Sequence, residues 1–186
     1  NPKFRTPSTQ MLNTFLLSMR GTPYTYYGDE IGMTNIDMPN IEDYVDVEAK
    51  GKYKAALAKG EDIDAFMKVL NYSSRENGRT PMQWNNSTNA GFGSGTPWKR
   101  VNENYTQINV SEQEVDPNSI LNHFRKMAQV RKENTVLVYG DYTLLQAEHP
   151  DIYAFTRTLG DEKLLVLLNF SEEKAASYCS NISFLR

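Results

Sequence analysis

Between Thr6 and Gly28 the chain changes its hydrophobic period, and that change constrains the fold more than any other feature. Met11, Leu12, Phe15, Leu16 and Met19 recur at the spacing of an amphipathic helix. Thr6-Pro7 stands where such a helix starts, with a hydroxyl that caps orphan amides and a proline suited to the first helical position. Gly21 stands where it stops. Tyr24 to Tyr27 then follow without polar alternation, the pattern of a short strand covered on both faces. A helix feeding a strand of that kind belongs to a parallel α/β sheet.

From Thr34 to about Pro117 periodicity organises the chain only in part. Ile63, Phe66, Met67 and Leu70 predict one amphipathic helix, and a weaker pattern around Tyr53 to Leu57 precedes it, with a break at Gly60. Beyond lies SRENGRTPMQWNNSTNAGFGSGTPW, rich in Gly, Asn, Ser, Thr and Pro but carrying Arg75, Arg79, Trp84, Phe92 and Trp98. Loops of that length are functional or disordered, and the aromatic and arginine content argues against disorder. Asp116-Pro117 opens a second strong helix, with Ile120, Leu121, Phe124, Met127, Ala128 and Val130 on one face, ending near Glu133. Three β-rich segments follow, Tyr142 to Gln146, Ile152 to Arg157 and Leu164 to Asn169, with Gly160-Asp161 between the last two.

Composition removes several function classes. A net charge of −3 and a pI near 5.5 offer no basic surface for phosphates, so no nucleic acid is expected. No apolar run is long enough to cross a bilayer, and no signal peptide is evident. The single cysteine, Cys179, excludes an internal disulfide and favours a reducing compartment, read as the cytoplasm. Asn71-Tyr-Ser73, Asn86-Ser-Thr88 and Asn104-Tyr-Thr106 are glycosylation triplets that matter only in a secretory pathway, and chance accounts for them. His123 and His149 fall in different elements and no cysteine pair or calcium loop exists, so neither a metal nor a cofactor is expected. There is no nucleophile elbow and no phosphate cradle. What remains is carboxylates, arginines and aromatics gathered after a buried strand, the groups that recognise sugars: planar forks for hydroxyls and rings for apolar faces. The same groups also pair with one another to hold a loop in shape.

GTPYTYYGDEIGMTN resembles the eighth-strand segment of the α-amylase superfamily, and SRENGRTPMQW, NAGF, PW and VNENYTQINV resemble its oligo-1,6-glucosidase and α-glucosidase branch. The likeness runs in order to about Asn169. One departure is Tyr27-Gly28-Asp29-Glu30, where that branch usually has Gln-Gly-Glu-Glu. The resemblance implies an α/β plus β fold: the C-terminal part of a (β/α)8 TIM barrel over residues 1–139, then the start of an antiparallel β-sheet domain over residues 140–186. Active sites of that barrel lie at the C-terminal ends of the strands, in the loops that follow.

The resemblance also implies roles. Arg75 matches the position that holds the non-reducing terminal glucose, and Glu48 an acid lining the next sugar subsite; a loop ion pair is the other reading of both. Glu30 is expected to anchor the glycine-bent turn through backbone hydrogen bonds, with Asp29 beside it, and Arg79, Gln83 and Trp84 to act as loop scaffold, the tryptophan by packing. The family's nucleophile, general acid and third carboxylate follow strands four, five and seven, so they are expected upstream of Asn1 and no catalytic residue is assigned here. The implied parent is a retaining α-glucosidase acting on oligosaccharides such as isomaltose or maltose, with this chain inactive alone. Its unpaired strand edges predict self-association. The alternatives are a sucrose-isomerising or transglycosylating relative and a non-catalytic barrel of the transporter heavy-chain kind.

Overall fold

In the computed structural model, residues 2–174 are described; Cys179 and the end of the expected β domain lie outside them. The helices are α1 (Arg5–Ser18), α2 (Val47–Lys59), α3 (Ile63–Ser73), α4 (Val110–Val115), α5 (Ile120–Glu133) and α6 (Thr135–Tyr139). The strands are β1 (Asp141–Leu145), β2 (Ile152–Leu159) and β3 (Glu162–Asn169). The chain forms two compact units, one made of its first residues through Thr25 together with those from Asn122 on, the other of Tyr26–Leu121.

In the first unit, α1 starts one residue before the predicted Thr6 cap. A 3-10 turn, Pro2–Phe4, leads into it, and Pro7 falls in the first turn, where its missing N–H is one the helix leaves unused. The three strands form an antiparallel sheet in the order β1-β2-β3, with Tyr142 opposite Arg157 and Phe155 opposite Val166. Gly160, at φ +58, and Asp161 make the tight turn from β2 to β3. The central strand carries the core: Ala154 and Phe155 are fully buried, joined by Leu17, Val136, Leu137, Ile152 and Leu168. Helix α6 was not anticipated; its five residues are too few for a periodic signal.

Two guanidiniums organise this core. Arg157 is fully buried and donates from Nη1 to the carbonyls of Ser18 (2.7 Å) and Leu137 (2.8 Å) and from Nη2 to that of Gly140 (2.7 Å). Arg131 donates to the carbonyls of Leu17, Met19, Leu137 and Gly21. Together they satisfy the last two carbonyls of α1, those of Leu17 and Ser18, where the helix dipole is negative.

The second unit has two small cores. Ile36, Met38, Tyr44, Ala49 and Leu70 form one, with Phe66 and Met67 of α3 against it. Ile31, Met82 and Leu121 form the other. Helices α2 and α3 realise the predicted pair: Asp46 and Asp62 cap their N-termini, and Gly60, at φ +68, ends α2. Amide side chains wire the long loop. The buried Gln83 donates to the Ile108 carbonyl and Asn104, and Asn102 donates to the carbonyls of Thr34 and Asn35. Helix α5 begins at Ile120 rather than at Asp116-Pro117, because Asp116 caps a turn instead: its carboxylate accepts the Asn118 N–H and its carbonyl that of Ser119.

The buried strand expected at Tyr24 to Tyr27 is a correction. Residues 22–26 have no regular secondary structure, and Tyr24 and Tyr26 are 86% and 56% exposed. Strand identity needs a partner for its N–H and C=O groups, and no strand among the described residues pairs with this stretch.

Candidate functional site

The glycine-bent turn after Tyr27 holds its own acids. Gly28, at φ +94, and Gly32, at φ +63, reverse the chain around the 3-10 turn Asp29–Ile31. The Gly28 N–H donates to Glu30 Oε2 at 2.8 Å and the Tyr26 N–H to Asp29 Oδ2 at 3.1 Å. Glu30 is thus the turn anchor expected of it. Tyr27 donates from its hydroxyl to the Gly78 and Thr80 carbonyls, tying this turn to the arginine-bearing loop.

That loop opens with the 3-10 turn Arg75–Arg79, capped by the Ser74 hydroxyl, which accepts the Glu76 N–H. The Arg75 guanidinium meets Asp46 side-on: Nε donates to Oδ2 and Nη2 to Oδ1, the second at 2.8 Å. Glu48 Oε2 lies 3.5 Å from Arg75 Nη2, and its Oε1 pairs with Lys52 one turn along α2 at 2.7 Å. Arg79 Nη1 is 3.9 Å from Asp46 Oδ2. The side chains of Arg75 and Glu48 are 57% and 56% exposed, whereas that of Asp46 is buried at 7%. A cavity of about 170 Å³ lies beside them, lined by Asp46, Glu48, Lys52, Ser73, Ser74 and Arg75 among others.

The structure therefore brings the two predicted residues together, and it does so through a third that sequence reading passed over. Asp46 caps α2 by accepting the Glu48 N–H at 3.0 Å while its carboxylate holds Arg75. The only local signal for it is a cap-forming aspartate two residues before Glu48.

The electrostatics of the site run one way. The Arg75 side-chain hydrogen bond holds the Asp46 carboxyl well below the usual carboxylate range, and the Asp46 bond raises the Arg75 pKa in return. The bond to Lys52, with Arg75 also near, holds Glu48 down. At the adjacent Glu76, burial pushes the pKa up, but Lys99 and two backbone N–H groups outweigh it and leave the group below its ordinary value. A general acid requires the opposite, a pKa raised toward neutrality. These carboxylates are built to stay ionised and accept hydrogen bonds.

The remaining expectations divide. Gln83 is buried scaffold, but Trp84 is 47% exposed, so its ring is not the packing residue expected; the loop is held there by the Trp84 backbone, bonded to Ala90 and Ser111. His123, in α5, lies 2.9 Å from the Thr14 hydroxyl, and burial lowers its pKa. His149 Nδ1 accepts the N–H groups of Asp151 and Ile152. Among the described residues no cluster of three or more His, Cys, Asp or Glu is placed to hold a metal ion, and no helix is long and apolar enough to cross a membrane.

Comparison with known proteins gives the family of the chain. Residues 1–140 match the alpha amylase catalytic domain and residues 142–181 the maltogenic amylase C-terminal domain. The oligo-1,6-glucosidase of Parageobacillus thermoglucosidasius is 51% identical over 172 residues, 92% of this chain and 31% of that protein. The glucan 1,6-alpha-glucosidase of Streptococcus pneumoniae is 42% identical over 92% of this chain and 32% of its own length. Among solved structures, isomaltulose synthase from Klebsiella sp. LX3 superposes with a TM-score of 0.89 at 40% identity, over 92% of this chain and 31% of that one. This chain thus spans about a third of the length of the relatives it matches. The fold class expected from the sequence, the C-terminal part of a (β/α)8 barrel followed by an antiparallel sheet, is the one these matches carry.

Proposed function

This chain belongs to the α-amylase family, and from that premise we propose that it is the sugar-gripping C-terminal part of a retaining α-glucosidase acting on short oligosaccharides such as isomaltose or maltose. The barrel portion occupies residues 1–139 and the β domain begins at residue 140. Arg75 grips the terminal glucose and Glu48 lines the neighbouring subsite. One observation carries the reading: the half-exposed Arg75 side chain, beside a small cavity, is fixed side-on by Asp46, so its remaining Nη1 group is oriented before any ligand arrives. At about 170 Å³ that cavity is smaller than the ~300–1,000 Å³ of sites for drug-sized ligands.

Chemistry comes from elsewhere in a protein of the relatives' full length. Retention needs a carboxylate nucleophile and a protonated carboxyl roughly 5–5.5 Å apart, passing through a covalent glucosyl intermediate. The acids of this site are held ionised and tied to cations, so they bind rather than donate protons. We place the protein in the cytoplasm, and the outer edges of β1 and β3 are where the isolated chain would self-associate.

Glucose release from isomaltose and maltose tests the reading, measured on a protein of full family length carrying this chain and on its Arg75→Ala variant. Turnover that falls at least about tenfold in kcat/KM with Arg75→Ala supports it; equal turnover overturns the role of Arg75. A second reading, sucrose isomerisation, is favoured by the likeness to isomaltulose synthase. Incubation with sucrose separates the two, since an isomerase yields an isomeric disaccharide and a hydrolase yields monosaccharides.

A further inference from the structure

Three stretches of chain meet at Glu76, the residue after Arg75. Its side chain is 1% exposed. Oε1 accepts the N–H groups of Val45 and Asp46, each at 2.6 Å, and Oε2 lies 2.7 Å from Lys99 Nζ. The Lys99 side chain is 5% exposed, and its ammonium also donates to the Asp43 carbonyl at 3.2 Å. One carboxylate and one ammonium therefore fasten the approach to α2, the Arg75–Arg79 turn and the loop around Trp98.

A buried ion pair is a poor source of net stability, because desolvation offsets most of the attraction and an apolar pair of equal volume does as well. What such a pair supplies is geometry, since charge-assisted hydrogen bonds are short and directional. The geometry here converges on Asp46. Its backbone N–H is gripped from behind by Glu76, while its carboxylate reaches forward to the Glu48 N–H and to two N–H donors on one edge of the Arg75 guanidinium. Any displacement of Asp46 moves Arg75 and the first turn of α2 together.

Resting on the proposed role of Arg75 and Glu48 in sugar binding, we infer that Glu76 and Lys99 are the positioning pair of this site. By fixing the backbone of Asp46 they set the carboxylate that aims Arg75 and the helix start that carries Glu48. Neither touches the sugar, as both are buried behind the loop. Without Lys99, Glu76 is a buried anion facing two N–H groups alone, and it relaxes toward water or takes up a proton, releasing Asp46.

The experiment is steady-state kinetics on the full-length protein carrying this chain, with the better of isomaltose and maltose as substrate. The variants are Arg75→Ala, Lys99→Met and Glu76→Gln/Lys99→Met, each with its Tm. In the double variant an amide oxygen stands at position 76 in place of the carboxylate, still accepts the two N–H groups and leaves no charge unpaired, so this variant folds even if Lys99→Met alone does not. Lys99→Met is expected to raise KM about tenfold while kcat changes less than about twofold, the signature of lost ground-state binding, and the double variant to recover most of that KM. If Arg75→Ala leaves KM unchanged, the sugar-site reading itself fails. If Arg75→Ala raises KM while Lys99→Met only lowers Tm, the pair is structural and the inference is overturned. A double variant whose KM is raised as far as that of Arg75→Ala also overturns it, since the retained amide acceptor then does not hold the site.

Discussion

Arg157→Met replaces a fully buried guanidinium by an apolar chain of similar length, and the structure sets the size of the effect. The wild-type side chain makes three hydrogen bonds of 2.7, 2.8 and 2.7 Å to the carbonyls of Ser18, Leu137 and Gly140. Leu137 keeps a donor after the change, because Arg131 Nη1 also reaches its oxygen at 3.1 Å. Ser18 and Gly140 lose theirs. Each buried acceptor left without its donor costs about 1–3 kcal/mol, for a gross loss of about 2–6 kcal/mol. Relief opposes it: among the described residues no carboxylate forms an ion pair with Arg157, its Nε is buried without a hydrogen bond, and burial, reinforced by Arg131 and Arg20, pulls its pKa down. The expected net destabilisation is about 2–4 kcal/mol. In urea unfolding followed by circular dichroism, with a slope of about 2–3 kcal/mol per molar, the midpoint falls by about 1 M. A midpoint unchanged or raised in Arg157→Met would refute the reasoning, because desolvation of the unpaired cation would then outweigh its three bonds.

Three further outcomes are expected. Glu76 has its pKa lowered in the folded state, so its contribution to stability is complete above its ordinary value near 4.5 and is lost as pH falls through the lowered one; Lys99→Met removes the main lowering partner and shifts the acid limb of the unfolding curve to higher pH. Burial first, then the Tyr153 hydroxyl at 2.6 Å, pushes Tyr142 up to about 12; ultraviolet titration of Tyr153→Phe should show Tyr142 ionising at lower pH yet still above the ordinary value of 10, and a value at or below 10 would contradict burial as the larger cause. Gly140→Ala puts a methyl group against the Val136 and Thr158 carbonyl oxygens, both backbone atoms that cannot swing aside; a loss of about 1–3 kcal/mol in chemical denaturation is expected, and a neutral result would show that the α6–β1 junction yields.

Helix α3 was legible because Ile63, Phe66, Met67 and Leu70 repeat within two turns, and the β2–β3 hairpin because Gly160-Asp161 is local turn chemistry between two β-rich runs. The sugar-binding roles proposed for Arg75 and Glu48 rest on resemblance alone, since no spacing rule marks an exposed arginine in a loop as a sugar fork. Asp46 offered only the signal of a helix cap, and the Glu76–Lys99 pair was not legible at all: a buried lysine has the same letter as a surface one, and its partner is 23 positions away.

By itself, then, the sequence determined the elements whose signal is contained within a few neighbouring residues: the periodic faces of α1, α3 and α5, the three strands, and the glycine stop of α2. Tertiary structure alone decided that Tyr24 to Tyr27 runs exposed without a ladder, that Asp116 caps a turn, and that residues 43–46, 75–79 and 99 share one buried ion pair. The division has a physical cause. Periodicity and turn propensity arise from sterics between residues adjacent in the chain, whereas burial, strand pairing and the aim of a charged side chain depend on which distant segments fold against it.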